Sequence, residues 1–157
     1  MKILIVGIVA SGKTTLARKL SKLLDIKHYE IDSVVHDDIN NVKRSEAEQK
    51  KIFKKIDKNS NWIIEGTLRK HLFYLCGMAD KIIYLDIPVK VRKKRIFTRF
   101  VRQLFGIEKC NYTVNLKMLK LMYKWTNDFE KEKNSFEEKL FKYKDKIIVV
   151  KDDKLML

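Results

Sequence analysis

The chain has 157 residues, 45% of them hydrophobic, with only five glycines and one proline, so we expect one compact domain over residues 1–157. Its 35 Lys and Arg residues against 20 Asp and Glu give a formal net charge of +15, which attracts polyanions. No apolar run approaches the ~18 residues of a membrane span, so we expect a cytoplasmic protein without a membrane partner. Cys76 and Cys110 lack metal-ligand or CxxC spacing, so we expect neither a disulfide framework nor a zinc site.

The chain begins with a strand, a glycine-containing loop and a helix. Residues Ile3 to Val6 are apolar and mostly β-branched, the pattern of a strand that is buried on both faces of a parallel sheet. After the loop, leucines recur at helical spacing and predict a helix from about Lys13 to Leu24.

Four more apolar strands follow, each separated from the next by a helical stretch. They are predicted at His28–Ile31, Trp62–Ile64, Ile82–Leu85 and Ile147–Val150. This alternation predicts an α/β fold with a five-stranded parallel sheet and helices on both faces. Ligands of such sheets bind at the carboxyl ends of the strands.

The loop after the first strand matches the phosphate-binding pattern GxxxxGK[ST]. Its glycines allow close approach of the backbone to phosphate, its lysine reaches the β- and γ-phosphates, and its threonine hydroxyl reaches magnesium. Because the motif follows a predicted strand and opens a helix, it predicts binding of ATP with Mg²⁺. The residues expected to contact ATP here are Gly7, Ala10, Ser11, Gly12, Lys13, Thr14 and Thr15.

Acidic residues follow three of the other strands. Asp32, Glu65 and Asp86 should therefore gather beside the loop at one edge of the sheet, where they could serve magnesium, orient an acceptor, or simply cap a helix or pair with a lysine. The chain lacks the DxxG and NKxD motifs of a GTPase and the LSGGQ-like signature of an ABC ATPase. Among the classes of P-loop protein considered, the small-molecule kinases remain consistent with the sequence.

Four arginines lie at helical spacing after the fourth strand: Arg92, Arg95, Arg99 and Arg102. We expect them to share one outward face of a helix whose opposite face holds Phe97, Phe100, Val101 and Leu104. This arginine face either lies over the nucleotide or is a solvated basic surface.

Four segments of the chain carry a family resemblance: GIVASGKTTLARKL, HYEIDSV, WIIEGTLRK and KIIYLDIPVKVRKKRIFTR. They resemble the adenylate-kinase-like P-loop kinases, and most closely the bacterial DNA topology modulation proteins, in order and approximate spacing. The resemblance implies a sheet of order 2-3-1-4-5 with Glu65 and Asp86 flanking the loop.

The same resemblance implies roles for particular residues. Glu65, Gly66 and Arg69 match an acidic residue, a glycine and an acceptor-binding arginine, while Arg95 and Arg99 match arginines that contact the base and the donor phosphates. Lys13, Arg95 and Arg99 would then be catalytic. Asp32 would join Glu65, Gly66 and Arg69 at the acceptor, and Thr14 and Glu65 would hold Mg²⁺, partly through water.

The chain also departs from the family pattern. Thr67 and Leu68 replace an asparagine and a tyrosine, and no arginine follows Arg102. Lysines would have to replace the later arginines as point charges without the planar fork; the candidates are Lys109, Lys117, Lys120 and Lys124. The lid near residues 100–115 is short, which predicts incomplete exclusion of water.

Three functions are consistent with these features. The first is an ATP-dependent kinase that acts on a nucleotide, nucleoside or similar small acceptor, for which Arg44 is a further candidate anchor. The second is an ATP-binding protein associated nonspecifically with nucleic acid, suggested by the +15 charge. The third is a nucleotide sensor without transfer activity. The oligomeric state is not predicted.

Overall fold

Strands and helices alternate along the chain in the computed structural model, which describes residues 1–37, 42–108, 110 and 113–152. The strands are β1 (Lys2–Gly7), β2 (His28–Glu30), β3 (His36–Asp37), β4 (Val42–Lys43), β5 (Trp62–Gly66), β6 (Lys81–Leu85) and β7 (Ile147–Val150). The helices are α1 (Lys13–Leu24), α2 (Ile31–Val35), α3 (Glu46–Asp57), α4 (Tyr74–Met78), α5 (Val89–Leu104) and α6 (Leu116–Leu140). Short 3-10 helices span Lys70–Leu72 and Phe141–Lys146.

Five of the strands form a parallel sheet of order β2-β5-β1-β6-β7. The predicted α/β class is confirmed. The strand labels differ from the predicted 2-3-1-4-5 because β3 and β4, which were not predicted, form a separate antiparallel pair between β2 and β5 in the chain. With that pair set aside, the five strands follow one another along the sheet in the predicted order.

The central strand β1 separates two apolar clusters because successive side chains of a strand point to opposite faces. Leu4 and Val6 belong to the cluster under α2, α3, α4 and α6. Ile3 and Ile5 belong to the cluster on which Leu16 and Leu20 of α1 pack. All four strand residues are 5% exposed or less. The helix after the phosphate loop therefore covers one face of the sheet, and most other helices cover the opposite face.

The predicted orientation of helix α5 is wrong for Arg92, whereas the side chains of Arg99 and Arg102 are exposed as expected. Arg92 is 2% exposed, and Ile96 and Gln103 of the same helix are also buried, whereas Phe97 and Leu104 are more than half exposed. The face that contacts α6 thus includes Arg92 and Phe100, which lines a cleft with Met118 and Met122 of α6, whereas Phe97 faces away. Arg92 tolerates burial because its Nε donates to the carbonyl of Ile87 at 2.9 Å and its guanidinium pairs with Glu130 of α6.

None of the helices in the described ranges is long and apolar enough to cross a lipid bilayer.

Candidate nucleotide-binding site

The phosphate loop connects the end of β1 to the first residue of α1. A Cβ atom on Gly7 would lie 2.7 Å from Ser11 Oγ and 3.1 Å from the carbonyl oxygen of Leu85, so only glycine fits at this point. Gly12 has φ +97°, a left-handed conformation that favours glycine. The two glycines of the motif therefore meet two different demands, close packing at Gly7 and backbone conformation at Gly12.

Two further loop residues have unusual surroundings. Ala10 has φ +59°, a left-handed conformation that is costly for a residue with a Cβ atom. Ser11 is fully buried, and its Oγ has no hydrogen-bond partner among the described residues. A buried hydroxyl without a partner is free to interact with a ligand in the loop.

The amino-terminal end of α1 is available to an anion. No side chain caps this end of the helix, and its first turn contains no acidic residue. The free amides and the helix dipole therefore present positive partial charge to the space inside the loop, which is the arrangement that binds phosphate. Thr15, predicted to contact ATP, is exposed in the first turn.

Lys13 folds back over the loop. Its Nζ donates to the carbonyl of Ile8 at 2.9 Å. Burial lowers the pKa of Lys13, while the nearby carboxylates of Glu65 and Asp32 act in the opposite direction. An ammonium group that is poorly hydrated and surrounded by acceptors gains most when an anion enters the loop.

Glu65 lies at the carboxyl end of β5, opposite Thr14. The Thr14 hydroxyl donates to Glu65 Oε1 at 2.5 Å, and Glu65 is only 3% exposed. Burial raises the pKa of Glu65, although the hydrogen bond from Thr14 and the charge of Lys13 lower it. A hydroxyl and a carboxylate side by side are hard oxygen ligands of the kind that Mg²⁺ prefers, so these two residues fit the predicted metal.

No cluster of three or more His, Cys, Asp or Glu side chains could hold a metal ion within the part of the chain that the structure describes. A magnesium ion here would thus depend on phosphate oxygens and water for its other ligands, as Mg²⁺ in nucleotide sites usually does.

Arg95 reaches the loop from α5. One of its terminal nitrogens, Nη1, donates to the carbonyls of Ala10 and Ser11, at 3.1 Å each. The cation thereby binds two carbonyl oxygens of the loop, whose negative partial charge would otherwise oppose a phosphate nearby. The structure brings Arg95 into direct contact with the loop.

Arg99, one helical turn later, is engaged elsewhere. Its Nε lies 2.9 Å from Oε1 of Glu108, whose second oxygen lies 3.8 Å from Nε of Arg102. Sequence reasoning did not assign Glu108 a role. The sequence nevertheless indicates an ion pair here, because Glu108 is the single acidic residue between Asp86 and Asp128 and follows four arginines.

The predicted acceptor residues lie at the end of β5 and the start of α2. Arg69 Nη2 is 4.0 Å from Asp32 Oδ1, and both side chains are accessible, at 38% and 73% exposure. Gly66 lies against α2, where a Cβ atom would approach Ile31 Cβ to 2.6 Å. The glycine is therefore required for close packing of α2 on the sheet, which positions Asp32 opposite Arg69.

Arg44 is not available as the acceptor anchor that the sequence suggested. Its guanidinium donates to the carbonyls of Ser33, Val34 and His36 at 2.8–3.1 Å, and it pairs with Asp37 at 3.3 Å. These contacts hold the chain between α2 and β3, a structural role.

Asp86 also has a structural partner. The Lys133 ammonium donates to Asp86 Oδ1 and lies 3.7 Å from Glu137, whose carboxylate accepts a hydrogen bond from Tyr84. This network fixes α6 to the end of β6. The sequence left open whether Asp86 serves the site or pairs with a lysine, and the structure shows the pair with Lys133.

The predicted lid is described only in part. Helix α5 ends at Leu104, and Gly106 has φ +70° in the turn that follows. Lys109, one of the lysines expected to replace a family arginine, lies outside the described residues, as do residues 111 and 112. Lys117, Lys120 and Lys124 lie on the first half of α6. The lid and the single-domain organisation stay predictions.

The sheet order, the loop and α1 define a P-loop α/β protein. A family model of the AAA domain matches residues 3–102, more than half of the chain. The chain therefore belongs to the AAA domain family. No curated protein matches the chain in sequence.

Solved structures of kinases share the fold. Shikimate kinase from Bacteroides thetaiotaomicron matches with a TM-score of 0.58 at 16% identity, over 98% of this chain and 86% of that one. Shikimate kinase from Aquifex aeolicus matches with a TM-score of 0.53 at 17% identity, over 96% of this chain and 85% of that one. Deoxyadenosine kinase from M. mycoides with bound dATP matches with a TM-score of 0.55 at 18% identity, over 99% of this chain and 95% of that one. The chain thus shares the fold of these P-loop kinase structures, while the resemblance to the topology modulation proteins stays a prediction.

Proposed function

We propose that the protein is a kinase that transfers the γ-phosphate of ATP to a hydroxyl group of a small acceptor. The observation that carries this proposal is the proximity of two sets of residues at one edge of the sheet. Thr14, Lys13 and Glu65 form a phosphate and magnesium site, and the Asp32 carboxylate acts to raise the pKa of Lys13, against the effect of burial. Asp32 and Arg69 form an accessible polar pair beside it. The names of the structural neighbours, shikimate kinase and deoxyadenosine kinase, agree with this class of reaction.

The loop residues would bind and orient the triphosphate. The uncapped amides of α1 and the Lys13 ammonium provide positive charge where negative charge accumulates as the phosphoryl group is transferred. The Thr14 hydroxyl and the Glu65 carboxylate would hold Mg²⁺, directly or through water, and that ion would neutralise charge on the β- and γ-phosphates. Arg95 keeps the loop in shape, and Arg99 is close enough along α5 to contribute once it leaves Glu108.

The acceptor would bind at the exposed Asp32–Arg69 pair and take the place of the contact between the two side chains. A carboxylate accepts a hydrogen bond from the attacking hydroxyl, and a guanidinium binds an anionic or polar group of the same molecule. We infer an acceptor that carries both a hydroxyl and an anionic group. Nucleoside monophosphates and small hydroxy acids meet this requirement.

The test is ADP release from Mg-ATP with a panel of nucleosides, nucleoside monophosphates and small hydroxy acids. One class should stimulate release, and Arg69→Met should raise the KM for that acceptor about tenfold or more, because a charged hydrogen bond is lost. Lys81→Met removes a charge at the opposite, amino end of β6 and should leave KM unchanged. If none of the acceptors stimulates release although ATP binds, the kinase proposal fails for these classes.

The +15 charge keeps a nonspecific association with nucleic acid as the second candidate. Its affinity for a DNA duplex should fall steeply between low and moderate salt. Affinity that survives moderate salt would contradict this candidate. The sensor hypothesis requires ATP binding without transfer, and the acceptor panel addresses it directly.

A further inference from the structure

A cavity with a volume of about 260 Å³ lies away from the phosphate loop. It is formed by the start of the segment after β5 and by the end of α6 with the 3-10 helix that follows. Its lining consists of three lysines and two aromatic residues: Lys70, Phe73, Lys139, Lys142 and Tyr143. Neither the phosphate site nor the acceptor pair uses any of these side chains.

The three lysines have no counter-charge in the cavity. Within the described part of the chain, no carboxylate lines the cavity, and Lys70, Lys139 and Lys142 form no ion pair. Lys139 lies in the last turn of α6 and Lys142 in the 3-10 helix that follows, and both line the cavity. Three lysine side chains border one small space, so their positive charges repel one another, and a bound anion would reduce that repulsion.

The two aromatic residues give the cavity an apolar wall. Phe73 and Tyr143 both pack against the apolar cluster on the face of the sheet opposite α1. Phe73 is held in place by an edge contact with Phe136 of α6, with ring centroids 5.6 Å apart. The Lys146 ammonium lies over the Tyr143 ring, 5.4 Å from its centroid, and adds a fourth positive charge near the cavity. Aromatic ring surfaces of this kind favour a planar group of a ligand.

We propose that this cavity binds a nucleoside phosphate, with the phosphate among the lysines and the base against Phe73 and Tyr143. Phosphate is the anion that best uses several ammonium groups at once, and a nucleobase is a planar group that stacks on aromatic rings. The site is separate from the ATP-binding loop, since the helix that follows the loop covers the other face of the sheet. This inference does not depend on the proposed kinase activity.

The test is an NMR titration of the ¹⁵N-labelled full chain with AMP. The backbone amides of Phe73 and Tyr143 should shift in a saturable manner. Lys139→Gln/Lys142→Gln should weaken that binding about tenfold or more, because two charges next to the phosphate are removed. Lys54→Gln/Lys55→Gln removes two exposed lysines of α3 and should leave the titration unchanged. The amides of Gly12 and Lys13 report on the phosphate loop in the same spectra.

Three results would overturn the proposal. The first is that the amides of Phe73 and Tyr143 do not shift while those of the loop do. The second is that the Lys139→Gln/Lys142→Gln variant titrates like the wild type. The third is that inorganic phosphate binds at the cavity as tightly as AMP, since the aromatic wall would then have no part in recognition.

Discussion

The Thr14 hydroxyl donates a hydrogen bond to the Glu65 carboxylate, which lies 51 residues later in the chain. This contact joins the first residues of α1 to the end of β5, the strand beside β1. It forms because the two strands are parallel neighbours, so the residues that follow them meet at the same edge of the sheet. The predicted magnesium ligands are therefore already adjacent without a ligand between them.

Glu65→Gln should strongly slow phosphoryl transfer and raise the stability of the fold at neutral pH. The amide keeps an oxygen for Thr14 but loses the negative charge, so transfer should fall about 100-fold or more. Because the pKa of Glu65 is raised in the folded protein, the folded protein binds a proton at this carboxyl more readily than the unfolded chain does. Ionised Glu65 therefore destabilises the fold at neutral pH. This destabilisation is absent below about pH 4, where the carboxyl is protonated in both states.

Denaturant unfolding at several pH values checks this prediction. The gain from Glu65→Gln should be largest at neutral pH and should disappear on acidification, whereas Glu132→Gln, an exposed change on α6, should have no such profile. A variant that is less stable than the wild type at neutral pH would contradict the interpretation.

Arg95→Met should weaken nucleotide binding about tenfold. The carbonyls of Ala10 and Ser11 would lose the cation that they share, and the loop would no longer be held in one conformation. Arg95→Lys should restore only part of the affinity, since an ammonium group lacks the planar fork. Calorimetry with ADP measures both effects. Lys94→Met, exposed on the same helix, is the control, and equal affinities for all variants would refute the role of Arg95.

Glu108→Gln should strengthen ATP binding about threefold. The change releases Arg99 from an ion pair that is partly exposed and worth about 0.2–1 kcal/mol, so the guanidinium can pair with phosphate instead. In the Arg99→Met background, Glu108→Gln should have no effect on affinity. The gain would have another cause if it persisted in that background, and a weaker affinity in the single variant would reverse the prediction.

Ala10→Gly should stabilise the protein by about 0.5–1 kcal/mol. Left-handed φ is strained for alanine and not for glycine, and this difference outweighs the extra flexibility of glycine in the unfolded chain. Ala17→Gly, in the buried middle of α1, should instead cost about 1 kcal/mol or more. Denaturant unfolding of both variants gives the comparison, and a destabilised Ala10→Gly would show that the loop conformation is not strained.

The elements that surround the phosphate loop could be predicted because their signals are local. The apolar run of β1 and the leucine spacing of α1 lie within a few residues of each other, and α1 spans Lys13–Leu24 as predicted. The four later strands are apolar runs, which predict strands without knowledge of their partners. The parallel arrangement then follows from the intervening helices.

The surroundings of α5 could not be read in this way. Arg92 is buried because Glu130, 38 residues later, lies opposite it on α6, and no local pattern indicates that partner. The phenylalanine face looked like the core face by periodicity alone, yet Phe97 is 54% exposed. Arg44 was misjudged for a similar reason, since its acceptors are backbone carbonyls that carry no sequence signal.

The most direct test of the kinase proposal follows the γ-phosphate itself. Mg-ATP labelled at the γ position is incubated with the acceptor that stimulates ADP release, and the label is traced to acceptor or to inorganic phosphate for the wild type and Lys13→Ala. Label in the acceptor with the wild type and none with Lys13→Ala is the predicted result, because Lys13 supplies charge to the transferred group. Label only in inorganic phosphate, or transfer that persists in Lys13→Ala, would contradict the account.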